Sequence, residues 1–302
     1  MTRPPHDISA SVKQRLLNLA RAQGEDFNTL LVRYAIERFL YRLSKSSLSD
    51  QMVLKGAMLF VVWRPTPHRP TRDLDLLGFG DPSPESVAER IKDILATTFE
   101  DDGLHFDSES IEAGPIREDQ TYGGVRVTFR AMLGKARIDL QVDVGFGDAV
   151  VGPNVTASYP SLLGFPAAVI RVYSREAVIA EKLHAMVELG SVNSRMKDFY
   201  DILILSREFD FDDRGLVETI AATFQRRGRP LPVSIADVLT PDFAADKQTQ
   251  WSAFLKRLRL KDAPPEFAKV VESLIRFLAK PVEWSTKPSA SPLRWPPGGP
   301  WR

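Results

Sequence analysis

The sequence predicts an α/β chain, and three observations predict it: a helical opening, a middle in which apolar and polar residues alternate, and a closing third that returns to helical spacing. The chain has 302 residues, of which 43% are hydrophobic. That is enough for one large domain or two modest ones with a sizeable buried core.

In the opening, from Asp7 to about Ser44, Val12, Leu16, Leu19 and Ala20 form one apolar run. Leu30, Leu31, Tyr34, Ala35, Arg38 and Phe39 form a second, with Gly24 between them. The spacing predicts two helices, with Asp7 or Ser9 as the first cap and Asn28 or Thr29 near the second start. From Leu54 the style changes. The run Ala57 to Trp63 reads as helix, and Asp73-Leu74-Asp75-Leu76 alternates as a strand does. Residues 83–99 read as helix, with Val87, Ile91, Ile94 and Leu95 on one side. Gly124 to Arg130 and Ala136 to Val144 read as paired strands around a turn at Gly134-Lys135. A Gly/Pro-rich connector from Gly145 to Pro166 precedes helices at about 174–188, 194–207, 214–226 and 265–279. The expected organisation is a helical segment over 1–50, an α/β core over 51–165, a helical domain over 166–280, and a Pro-rich tail over 281–302 that hangs loose or straps the surface.

Composition narrows the function classes. Forty basic against thirty-nine acidic residues leave a net charge of +1, so a surface for nucleic acid has to be a local patch. There is no cysteine, which excludes disulfides, thiolate zinc sites and cysteine nucleophiles. The four histidines, at 6, 68, 105 and 184, are too scattered to suggest a histidine metal cluster. No apolar signal core opens the chain and no run approaches the roughly 18 apolar residues of a membrane span. The expectation is a cytoplasmic protein with no membrane partner.

The chemistry concentrates in Thr71-Arg72-Asp73-Leu74-Asp75. Residues two apart on a strand face the same way, roughly 6 to 7 Å apart. Asp73 and Asp75 are then candidates to share a divalent metal, because magnesium takes hard oxygen ligands and keeps open positions for phosphates. On the later strand Asp139, Gln141 and Asp143 alternate with Ile138, Leu140, Val142 and Val144, which offers a third carboxylate. Alternation alone does not separate such a metal-holding face from a merely solvated one. Upstream, Lys55-Gly56-Ala57 precedes the aspartates, where a glycine and a helix amino terminus suit a triphosphate. Downstream, Lys182 follows Glu181 on one helix, and Arg195-Met196-Lys197-Asp198-Phe199-Tyr200-Asp201 opens the next. Lys182 offers a charge for phosphates and Asp198 a group to orient it, while Lys197 and Asp201 read as an ordinary surface pair.

The order of these motifs resembles the AbiEii/AbiGii (MenT-like) nucleotidyltransferase toxin family of the DNA polymerase β-like superfamily, over roughly Ser9 to Phe277. That family has a glycine-containing turn, a Ser/Thr-x-Asp-x-Asp motif, a further acidic strand, and a lysine and an aspartate from consecutive helices. Here Thr71, Asp73 and Asp75 match the second element, Lys182 the lysine and Asp198 the last aspartate. Asp143 is the choice for the further acid, with Asp139 as competitor. Ala57 stands where many relatives carry glycine or serine, so a side-chain hydroxyl is absent from the turn.

The resemblance implies a polymerase β-like core with a mixed sheet, N-terminal helices and a helical C-terminal domain. It implies a magnesium- or manganese-dependent transfer from a nucleoside triphosphate to an RNA acceptor, with the 3′ end of tRNA the first choice. Pyrophosphate would be released and translation blocked. Asp73, Asp75 and Asp143 would hold metal, and Lys55, Gly56, Ala57, Thr71, Arg72 and Lys182 would meet the nucleotide. A cognate antitoxin would be a partner. Arg64, His68, Arg69 and Arg72, and later Arg226, Arg227 and Arg229, are candidate RNA-backbone contacts. Two alternatives stay open: the same chemistry on a protein or small-molecule hydroxyl, and a silent relative that only binds RNA or a partner.

Overall fold

A computed structural model of the chain describes residues 8–64, 69–116, 123–148, 155–285, 287 and 292–302. Asp7, His6 and His68, named above, lie outside the described residues. The chain forms two compact units, 1–147 with 154–173 and 148–153 with 174–302.

The first unit is built on a seven-stranded mixed sheet. Its strands are β1 (Met52–Lys55), β2 (Leu74–Gly78), β3 (Leu104–Pro115), β4 (Gly124–Leu133), β5 (Ala136–Phe146), β6 (Val155–Tyr159) and β7 (Ala168–Val172), in the order β3-β4-β5-β2-β1-β7-β6. The hairpin expected at Gly134-Lys135 joins β4 and β5, and Gly134 takes the positive φ that the tight turn needs. Two inner pairs, β2–β5 and β1–β7, are parallel, and the others antiparallel. Alternate residues of β4 and β5 are buried: Val125, Val127, Phe129, Ala131 and Leu133, then Ile138, Leu140, Val142 and Val144. This apolar face carries the core, and the polar alternates fall on the other face.

Helices α1 (Ile8–Gln23), α2 (Phe27–Lys45), α3 (Leu59–Trp63) and α4 (Pro84–Leu95) complete the unit. α1 buries Val12, Leu16 and Ala20, and α4 buries Val87, Ile91 and Ile94, each set at helical spacing. α2 packs against β5 and β7, and its cap is Asp26, whose side chain accepts from the Thr29 amide. Arg38, counted above in an apolar stripe, is indeed buried on α2 but as an ion. Its Nε donates to Asp102 Oδ2 at 2.8 Å, and Arg42 Nη1 reaches the same oxygen at 2.9 Å. Glu37 accepts from Ser161 Oγ and the Leu162 amide, so α2 also pins the segment before β7.

The second unit is helical: α5 (Arg175–Leu189), α6 (Met196–Glu208), α7 (Asp213–Arg226), α8 (Pro241–Leu258) and α9 (Phe267–Trp284), with a two-residue pair of β8 (Phe211–Asp212) and β9 (Arg294–Trp295). Phe199, Tyr200, Phe243, Trp251, Phe254 and Phe267 form its aromatic core.

Of the two forms expected for the tail, loose or strapped to the surface, the described residues take the second. α9 runs through Pro281 to Trp284, and Trp295 and Trp301 are 2% and 7% exposed. A proline inside a helix removes the N–H that would bond the carbonyl four residues back, here Phe277. Trp301 Nε1 donates to that carbonyl at 2.8 Å, and its ring stacks on Phe277. Residues near the end of the chain thus satisfy the bond that Pro281 breaks. Trp301→Phe keeps most of the ring but orphans the carbonyl, and is expected to cost about 1–3 kcal/mol in urea unfolding. A loss below about 0.5 kcal/mol would contradict this account of the proline, since that is the scatter of ordinary surface substitutions.

Candidate functional site

In the first unit, strand register assembles a row of charges. β2 begins at Leu74, so Asp73 is the residue before the strand and not on it, and only Asp75 of the pair is paired in the sheet. Asp75 lies opposite Lys55 of β1 on one side and Asp143 of β5 on the other, and Asp143 lies opposite Arg126 of β4. The row therefore reads Lys55, Asp75, Asp143, Arg126 across four neighbouring strands, each about 4.8 Å from the next. Leu74, Leu76, Val142 and Val144, the alternates of the two aspartates, are buried, so the row stands on the polar face.

Two adjacent carboxylates repel unless cations offset them. Arg126 closes on Asp143 with two bonds, Nε to Oδ1 at 2.8 Å and Nη2 to Oδ2 at 2.7 Å. The Asp143 hydrogen bonds, with the charges of Asp143, Asp73 and Asp75, hold the Arg126 guanidinium above its already high ordinary value. The Gln141 side chain lies against Asp143. At the other end, Lys55 stands 5.6 Å over the Tyr173 ring.

The turn between β1 and α3 explains a glycine. The helix expected over Ala57 to Trp63 forms as a 3-10 turn over Gly56–Met58 followed by five α-helical residues, and a strand ending at Lys55 precedes it. Gly56 has φ +70, and a Cβ on it would lie 2.0 Å from Asp75 Oδ2. Only glycine leaves room for the Asp75 carboxylate against the turn. Ala57 is buried beside it.

The other candidates fall differently. Asp139 shares a face with Asp143, but the β2–β5 register begins at Val142, so Asp139 has no β2 partner. It lies opposite Arg130, pairs with Arg137 Nε at 2.9 Å, and its side chain is 68% exposed. Thr71 is half-buried before the strand. Arg72 donates to Thr29 Oγ1 at 2.9 Å and sits 3.4 Å from Asp26, bracing the segment against the start of α2.

The donor chemistry of Asp73, Asp75 and Asp143 fits a hard divalent cation, since all three supply oxygen. Among the described residues, however, no three His, Cys, Asp or Glu side chains are gathered to hold a metal ion. Asp143 is turned onto Arg126 instead, and the guanidinium supplies the positive charge that the acids require.

In the second unit, Lys182 on α5 donates to Asp198 Oδ1 at 2.6 Å and lies 2.8 Å from Asp201 Oδ2. The side chains are 13%, 1% and 0% exposed, and Arg195 Nε lies 2.8 Å from the second Asp198 oxygen. Asp201, read above as a surface partner of Lys197, is thus a buried partner of Lys182. The signal was present: Asp198 and Asp201 are three apart on α6, hence on one face, and Phe199, Tyr200, Ile202 and Leu203 around them are all buried. Of the late arginines, Arg227 pairs with Asp148 at 2.8 Å and Arg229 with Glu188 at 3.0 Å, so these proposed RNA contacts carry partners of their own.

His184, beside this group on α5, is buried against Phe224. Burial, then the Arg227 charge, pulls its pKa from 6.5 to about 4. A depressed base destabilises the fold only where the unfolded chain takes up a proton that the folded one refuses. Its contribution is complete above pH 6.5 and is lost as pH falls towards 4, by about 3 kcal/mol. Urea midpoints at pH 7 and pH 4.5 are expected to separate less in His184→Leu than in the parent. Equal separation would exclude His184 as the group.

The family model described as "Nucleotidyl transferase AbiEii toxin, Type IV TA system" matches residues 38–273. No curated protein sequence matches the chain. Among solved structures, MenT4, a nucleotidyltransferase toxin from Mycobacterium tuberculosis, is similar with 18% identity and a TM-score of 0.47, over 92% of this chain and 98% of that one. JHP933 from Helicobacter pylori is similar with 16% identity and a TM-score of 0.46, over 84% and 95%. A third, a putative nucleotidyltransferase from H. pylori, has 15% identity and a TM-score of 0.47, over 86% and 99%.

Proposed function

The chain belongs to the AbiEii family of nucleotidyltransferase toxins of type IV toxin–antitoxin systems, and from that premise we propose that it transfers a nucleotide from a nucleoside triphosphate to an RNA, with the 3′ end of tRNA as acceptor. The observation that carries this reading is the register that sets Asp75 beside Asp143 with Gly56 holding space for the carboxylate. A sheet gains no stability from two neighbouring acids, so their pairing is better explained by chemistry than by folding.

In this reading the acceptor hydroxyl oxygen forms a bond to the α-phosphorus, the bond from that phosphorus to the bridging oxygen breaks, and pyrophosphate leaves. Asp73 and Asp75 would hold magnesium or manganese, and Asp143 would join them or take the hydroxyl proton. When bound, the metal would neutralise charge developing on the attacking and leaving oxygens. Lys55, Gly56, Ala57, Thr71 and Arg72 would border the nucleotide. Lys182, paired with Asp198 and Asp201, would be the cation for the triphosphate, an assignment that rests on the order of motifs. Blocked translation would follow from an altered tRNA end. A toxin of this kind has a cognate antitoxin, and no helix among the described residues is long and apolar enough to cross a membrane.

Incubation with total tRNA, magnesium and each nucleoside triphosphate labelled at the α-phosphate, beside an Asp75→Ala control, tests the acceptor. Label in RNA that requires Asp75 is the expected result. Label on protein or on a small molecule would replace the acceptor, and intact triphosphate binding without transfer would favour a silent relative.

A further inference from the structure

We propose that Arg126 is a built-in counter-cation of the acid row, which occupies Asp143 in the metal-free protein and must release it before a divalent cation can take Asp143 as a ligand. The inference rests on the metal-dependent reading above. It starts from what the sheet positions: Arg126 and Asp143 are directly opposite on β4 and β5, and Asp143 and Asp75 directly opposite on β5 and β2. A guanidinium presents two parallel N–H groups that match the two oxygens of one carboxylate, and both bonds are formed here, at 2.8 and 2.7 Å. With both oxygens engaged, Asp143 presents a metal with poor access.

The pair is built to open. Arg126 is 47% exposed and Asp143 17%, so water competes for the guanidinium, and an exposed ion pair contributes little net stability. A doubly charged ion held also by Asp73 and Asp75 outweighs it. The same arginine brings a positive charge to the row, being directly opposite Asp143 and one strand further from Asp75. Arg126 is therefore a positioning residue: it holds the Asp143 carboxylate by two bonds and sets the threshold for loading.

Manganese binding followed by calorimetry, with no nucleotide or RNA present, reads this directly. Arg126→Gln is expected to bind Mn2+ about ten-fold more tightly than the parent. Arg126→Lys, which keeps the charge but cannot form the two-pronged contact, is expected to fall between them. Removing any nearby cation strengthens metal binding through its charge alone, so the comparison is repeated in Asp143→Asn. There Arg126→Gln is expected to change affinity by less than about two-fold, because the contested ligand is gone. A full ten-fold gain in that background would overturn the proposal, as would unchanged or weaker binding by Arg126→Gln alone. If neither parent nor variants bind Mn2+, the metal-dependent reading falls and the proposal with it; binding by all with no difference defeats the proposal alone.

Discussion

Asp75→Asn is expected to lower nucleotide transfer by on the order of 10³-fold or more without lowering stability by more than about 1 kcal/mol. The two numbers belong together. A half-buried carboxylate set directly beside another one, with its oxygen against the Gly56 backbone, contributes repulsion to the fold as well as attraction to Lys55. Neutralising it relieves Asp143 while removing an oxygen donor that a hard cation needs. The checks are kcat/KM with the best labelled triphosphate and a urea unfolding curve on the same preparation. Loss of activity in step with stability would mean that Asp75 is a structural residue and that the row was misread.

The second large effect is the reverse in kind. Lys182→Ala strips the cation from two carboxylates that are 1% and 0% exposed, and Arg195 compensates only Asp198. Removing one partner from a buried pair costs about 3–5 kcal/mol, because the charge left behind has lost both water and counter-ion. Lys182→Ala alone therefore cannot tell a catalytic lysine from a structural one. The combination Lys182→Met, Asp198→Asn and Asp201→Asn can, since the only charge whose partner it removes is Arg195, which is 43% exposed and hydrated, and it is expected to recover most of the stability. Transfer is expected to stay lost in the combination. Recovered transfer would remove Lys182 from the reaction and leave it a structural group.

Local periodicity carried part of this fold and failed where the deciding partner is distant. α1, α4 and the β4–β5 hairpin were readable because one face of each is uniformly apolar, and Gly134 marked the turn. β3 was not, because it is an edge strand whose only fully buried residues are Leu104 and Phe106. β6, inside the expected connector, is short and buries only Tyr159. α8 was missed despite the Thr240-Pro241 start, because it buries only Phe243, Ala244, Trp251 and Phe254 along 18 residues. Buried charges escaped for the same reason. Arg38 and Asp201 are paired inside the fold with Asp102 and Lys182, far along the chain from each.

The candidate site shows the limit most clearly. Alternation places Asp139 and Asp143 on one face of β5 and cannot rank them. What separates them is register against β2, a parallel pairing across nearly 70 positions of chain, which no local pattern encodes. Asp73 likewise looked like a strand residue from its spacing to Asp75, yet the strand begins one residue later. The motif order named the acids, the lysine and Gly56; the pairing of Arg126 with Asp143 and of Asp201 with Lys182 required three dimensions.

The most direct test of nucleotidyl transfer by the acid row is to follow two labels at once, one on the α-phosphate and one on the γ-phosphate of the same nucleoside triphosphate, with total tRNA as acceptor. The account predicts α-label in RNA and γ-label in pyrophosphate, both abolished by Asp75→Asn. γ-Label in the acceptor, or transfer that survives the loss of Asp75, would contradict it.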